Sequence, residues 1–155
     1  MSRCQVTLFI GTAIEFKISG CIDETLSGFS NLFSEQANLL INLEEVTAIN
    51  SVGIREWIKL MRKLKDAKIH LTHCPKLFID QVNMVKGVLP ENSQIKSFYV
   101  PYYSEKKNSE NKVLFERNVH FSEKFINYNT TISGNDGHSY DLDVNPARYF
   151  KFIKA

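Results

Sequence analysis

Residues 38–43, NLLINL, form an almost unbroken apolar run that is too short for a helix. Beyond them Ile54, Trp57, Ile58, Met61 and Leu64 recur at helical spacing, and KIHLTH follows at 68–73. A buried strand, an amphipathic helix and a second strand in that order admit few folds, because parallel strands need a crossover and the helix supplies it. NLLINL is therefore expected to be a central parallel strand covered on both faces. The intervening EEVTAIN is expected to be a loop into the helix.

The flanking segments extend this unit. RCQVTLFI at 3–10 and AIEFKIS at 13–19 alternate partly around Gly11 and Thr12, which predicts a hairpin. Asp23 is a good N-cap for a helix carrying Ile22, Leu26, Phe29, Leu32 and Phe33. Gly28 inside that helix would cost about 1 kcal/mol relative to Ala, so either its boundary lies elsewhere or something packs closely there. Pro75 is a favourable first residue for a third helix marked by Leu77, Phe78, Val82, Val85 and Leu89, ending near Gly87 and Pro90. SQIKSFYV at 93–100 predicts a fifth strand. The fold class is α/β, a mixed sheet with helices on one face, in a domain spanning 1–100.

Past Val100 the composition turns to Asn, Ser, Lys and aromatics, with turn signals at Lys107–Asn111 and Gly134–Gly137 and a helical turn after Pro146. Residues 101–155 are expected to be a small β-rich extension packed by Phe115, Phe121, Tyr140, Tyr149 and Phe152. The alternative is a partly disordered tail, although disorder is normally poor in aromatics.

Several functional classes find no support in the residues. A net charge of +2 with dispersed basic residues is not the footprint of a nucleic-acid binder. MSRCQVTLFIGTAIEF has no signal-peptide pattern, and no apolar run approaches the roughly 20 residues needed to span a bilayer, so a cytoplasmic protein without membrane association is expected. Cys4, Cys21 and Cys74 are odd in number and lack a CxxC pair, which favours buried reduced thiols over a disulfide or metal site. His70 and His73 are expected on opposite faces of a strand, and His120 and His138 lack ligand-type neighbours. With no Gly-rich phosphate loop, GxSxG elbow or metal cluster, neither an enzyme nor a cofactor is expected.

The stretch LLINLEEVTAINSVGIREWIKLMRKLKDAKIHLTHCPKLFIDQVNMVKGVL resembles the STAS domain, shared by sulphate transporters and bacterial anti-sigma factor antagonists, and the resemblance covers roughly residues 3–100. INSVGI stands where that family carries Asp-Ser-(Ser/Thr)-Gly-(Leu/Ile), and CPKLFIDQVNMVKGVL is similar to its Pro-led third helix. The resemblance implies a regulatory interaction module whose phosphoacceptor is Ser51, modified by a serine kinase, with an anti-sigma factor or that kinase as partner. Asn50 replaces the usual Asp; it can cap a helix equally well but supplies no carboxylate. Ser51 itself is either a helix cap or a phosphosite. Asn50, Ser51, Val52 and Gly53 would form the partner-binding loop. Arg55, Lys59, Arg62 and Lys63 are either the solvated face of the helix or a surface for an acidic partner. A second reading is a non-phosphorylated STAS-type scaffold or homodimerisation subunit whose extension binds the partner. PYYSEKKNSENKVLFE and TISGNDGHSYDLD faintly resemble the two hairpins of a zinc ribbon whose cysteines are gone, so no metal is expected there.

Overall fold

A computed structural model describes residues 3–153. Strands β1 (Gln5–Ile10) and β2 (Ile14–Ile22) form the expected antiparallel hairpin. β2 then pairs in parallel with β3 (Asn38–Ile49), β3 with β4 (Lys68–Thr72) and β4 with β5 (Ser93–Ile95). The result is a mixed five-stranded sheet in the order β1-β2-β3-β4-β5.

Alternation decides what each face of this sheet does. Phe16, Ile18, Leu39, Ile41, Leu43, Ile69 and Leu71 point to one face and are buried. The other face carries Glu15, Lys17, Leu40, Asn42, His70 and Thr72, of which Asn42 is buried and the rest are half-buried. NLLINL, expected to be covered on both faces, is fully buried on the side of Leu39, Ile41 and Leu43, while on the other side Asn38 is exposed, Leu40 half-buried and Asn42 buried. The buried Asn42 is satisfied there by donating to Glu15 Oε1 at 3.0 Å and accepting from the Glu44 N–H at 2.9 Å. The strand is also twice the expected length. Glu44–Ile49 is not a loop but continues β3, with Val46 still buried.

The covered face receives the helices. Asp23 caps its segment as expected, but that segment is a 3-10 turn, Glu24–Phe29, followed by the short helix α1 (Ser30–Ser34). Gly28 is exposed in the 3-10 turn with nothing near it, so the helix boundary, not close packing, explains its presence. Helix α2 (Ser51–Lys63) buries Trp57, Leu60 and Met61, and α3 (Lys76–Met84) buries Phe78 and Ile79. Trp57 meets Phe78 edge-on, with ring centroids 5.2 Å apart, and its Nε1 donates to the Val88 carbonyl at 2.9 Å. It is a core residue. Among the described residues no helix is long and apolar enough to cross a membrane.

The stretch expected as one strand over 93–100 is two. At Lys96 the chain leaves the first sheet, and β6 (Ser97–Ser104) becomes an inner strand of a second, wholly antiparallel sheet. β7 (Ser109–Glu116), β8 (Thr131–Ser133) and β9 (Ser139–Leu142) complete it in the order β7-β6-β9-β8. The two anticipated turns close the β6–β7 and β8–β9 hairpins, whose ends are tied by a Ser109–Tyr140 hydroxyl contact at 3.1 Å. Helix α4 (Pro146–Tyr149) and a 3-10 turn, Lys151–Ile153, close the chain over this sheet. The tail is therefore the β-rich addition foreseen. Phe98 is its centre, with the rings of Phe115, Phe121, Tyr149, Phe150 and Phe152 all within 6.2 Å of it, centroid to centroid. Both sheets contribute to one hydrophobic core.

Candidate functional site

The parallel pairing of β2 and β3 brings Ile22 beside Ile49, so the segments that follow, Asp23 and Asn50–Ser51, emerge together at the carboxyl ends of the strands. The Asn50 N–H donates to the Ile22 carbonyl at 3.2 Å and fastens the start of α2 to β2. Gly53 sits in that first turn because nothing larger fits. A Cβ there would stand 1.8 Å from the Ile22 carbonyl oxygen. The glycine of the INSVGI signature is thus required by the approach of a helix to a strand backbone.

The cap is Asn50 and not Ser51. With extended backbone, Asn50 accepts the Gly53 N–H on its Oδ1 at 2.7 Å, and its carbonyl accepts the Ile54 N–H at 3.0 Å. Ser51 is the first helical residue, with an exposed side chain that makes no hydrogen bond among the described residues. The capping alternative for Ser51 is therefore corrected. An acceptor oxygen is all the cap requires, which is why Asn serves in place of Asp. The N–H groups of Ser51 and Val52 are left over at the positive end of the helix dipole.

Ser51, Arg55, Lys59 and Arg62 fall within about 80° of one another around the axis of an ideal helix. All four are exposed, Val52 is half-buried and Gly53 is buried. Lys59 makes a loose pair with Glu56 at 3.3 Å, whereas Arg55 and Arg62 form no ion pair among the described residues. Lys63 turns aside to Asn31 Oδ1 at 2.9 Å and Ser30 Oγ at 3.3 Å, so it braces α1 and leaves the stripe.

No protein-family model matches this chain, and no curated protein matches it. Among solved structures it is similar to the anti-sigma factor antagonist SpoIIAA in its unphosphorylated form, with 16% identity and a TM-score of 0.36 over 44% of this chain and 72% of that chain.

Asp23 is the residue of this edge that sequence reasoning gave only a capping role. Its carboxylate accepts from the Thr25 hydroxyl and N–H, and these bonds, with the Arg3 charge, hold its pKa below the usual carboxylate value. It is thus a fixed anion beside the Ser51 loop, detectable in the sequence only once Ile22 is known to lie against Ile49. The thiols are enclosed, Cys4 near enough to Asp23 to feel its charge. Cys4, Cys21 and Cys74 are all free and buried, and burial pushes Cys4 up to about 11 and raises Cys74 as well. His73 lies past the end of β4 in a left-handed conformation (φ 53°), so the strand alternation assumed for His70 and His73 stops before it. Among the described residues no group of three or more His, Cys, Asp or Glu is placed to hold a metal ion.

Proposed function

We propose that the protein is a regulatory interaction module of the STAS, anti-sigma factor antagonist type, in which a serine kinase acts at Ser51 and thereby switches partners. The observation that carries this reading is the division of labour between neighbours: Asn50 caps the helix, and the Ser51 hydroxyl is exposed and unengaged. A phosphoryl group there would bring roughly −1.5 to −2 charge to the N-terminus of a helix, where free N–H groups and the dipole favour an anion. Arg55, one turn on, would pair with it at i,i+4 spacing. The fold would tolerate the group. A docked partner would not, because it would face a desolvated dianion and a partly neutralised basic stripe. The partner that fits is an acidic surface on a serine kinase or anti-sigma factor.

To test this, the protein is purified from its own cells and the peptide containing Ser51 is examined by mass spectrometry. A phosphoryl group on Ser51 is expected under at least one growth condition. A peptide unmodified in every condition would remove the switch.

A second reading, a dimerising scaffold, is favoured by β1. This edge strand, QVTLFI, carries no charge and no proline, and its pairing with β2 has no bulge. The other edges are protected: β5 and β8 have three residues each, and β7 presents Glu110, Lys112 and Glu116. Natural sheets rarely leave an edge so unguarded unless something pairs with it. Two-fold antiparallel pairing about Leu8 would match Leu8 with Leu8 and Val6 with Ile10 of a second copy, giving Ile10, 81% exposed, an apolar neighbour.

A further inference from the structure

A cleft of about 400 Å³ opens beside β5, between the first sheet and the segment that follows β7, lined by Gln94, Lys96, Arg117, Asn118, Ser122 and Glu123. Its volume lies within the range of roughly 300–1,000 Å³ typical of small-molecule sites. It is separate from the Ser51 edge, which is built on β2 and β3.

The outer wall of the cleft is a tightly folded loop. Asn118, in the left-handed region at φ 67°, donates its N–H to the Phe121 carbonyl at 2.7 Å, and the Ser122 N–H donates to the Phe125 carbonyl at 2.8 Å. Arg117 is fixed at three points. Its Nε donates to the Ile95 carbonyl at 2.8 Å, its backbone N–H to the Lys96 carbonyl at 2.8 Å, and its guanidinium lies over the Phe121 ring at 5.1 Å. Holding Nε in this way aims the guanidinium while leaving its two terminal nitrogens without an acceptor among the described residues. Lys96, at the point where the chain changes sheets, has no ion-pair partner there either. Glu123 contributes attraction to Arg117, but no ion pair closes between them. On the adjoining strand His70 is in register with Gln94, and its Nδ1 is buried with no hydrogen-bond partner.

A guanidinium already oriented, with its terminal fork free, suits an oxyanion that can accept two parallel N–H bonds. We propose that this cleft binds a small oxyanion ligand, a phosphate ester or a carboxylate of metabolite size, with Arg117 forking the anionic group and Lys96 neutralising it. The Gln94 and Asn118 amides and the Ser122 hydroxyl supply neutral hydrogen bonds. Glu123 sets the selectivity: it repels a second anionic group and favours a ligand whose far end carries a hydroxyl or an amine.

The test is a titration of the full-length, isotope-labelled protein with inorganic phosphate, glycerol 3-phosphate and succinate, following amide chemical shifts. Potassium chloride at matched ionic strength is the reference. Saturable shifts confined to residues 94–96 and 117–123 are expected, and the phosphate and carboxylate arms separate the two ligand sources. Lys96→Gln, with an unchanged thermal midpoint, should weaken binding by about tenfold, the loss typical of one charged hydrogen bond, and Arg117→Lys, which also gives up the bond to the Ile95 carbonyl, should weaken it at least as much. Shifts that the chloride reference reproduces would overturn the proposal. So would absence of saturation at about 10 mM, where a Kd of about 1 mM would give roughly nine-tenths occupancy.

Discussion

Asn50 and Ser51 are adjacent polar residues at the same junction, yet the backbone gives them opposite work. Only the residue with extended backbone just before the helix can turn its side chain onto the N–H three positions ahead, and that residue is Asn50. Asn50→Ala should therefore cost about 1 kcal/mol of stability, and Ser51→Ala should stay within about 0.5 kcal/mol of wild type in urea melts. Equal losses would mean that Ser51 shares the cap. Gly53→Ala should be worse than either, about 3 kcal/mol or more, because its methyl group meets backbone and not a movable side chain. At this scale the sequence was informative about residue types and silent about their division. INSVGI announces a cap, but which oxygen caps is set by one pair of dihedral angles, and the close approach at Gly53 emerges only with the structure.

Among the elements, α2 was the most legible, since its apolar stripe of Trp57, Met61 and their neighbours is what the core buries. β3 was read too short because Glu44, Glu45 and Thr47 look like loop residues, although they are only the exposed positions of a strand that still buries Val46. The break at Lys96 was invisible for the reverse reason. Ile95, Phe98 and Val100 are all buried, and period-two patterning does not say which sheet a strand belongs to. The edge strand β1 makes a prediction of its own. If it mediates self-association, Leu8→Lys should shift the protein from dimer to monomer in sedimentation velocity without altering its far-UV circular dichroism. A wild-type protein that is monomeric at high concentration would dismiss the scaffold reading.

For the molecule as a whole, both sheets feed one hydrophobic core, and an aromatic cluster joins residues on either side of position 100. Phe98 lies within residues 1–100, but Phe115, Phe121, Tyr149, Phe150 and Phe152, which surround it, lie beyond them. β6 itself runs across residue 100. Emptying such a cluster removes contacts worth about 3–5 kcal/mol for each large aromatic, against a total stability of roughly 5–15 kcal/mol. A chain ending at Val100 should therefore lose cooperative thermal unfolding, and a folded, monomeric 1–100 fragment would contradict the single core. The sequence named four of the five aromatics around Phe98 or their neighbours in the extension, namely Phe115, Phe121, Tyr149 and Phe152. It missed the centre, because Phe98 was assigned to the first unit. Partner experiments are better done with point variants of the full chain than with truncations.

The central claim is that a free hydroxyl at the start of α2 controls docking. It is tested most directly by quantitative affinity purification from the native cells, using full-length wild type, Ser51→Ala and Ser51→Asp as baits. The account predicts a serine kinase or anti-sigma factor recovered equally by wild type and Ser51→Ala and depleted about tenfold or more with Ser51→Asp, a loss of at least about 1.4 kcal/mol. Equal recovery of that partner by all three baits would contradict it.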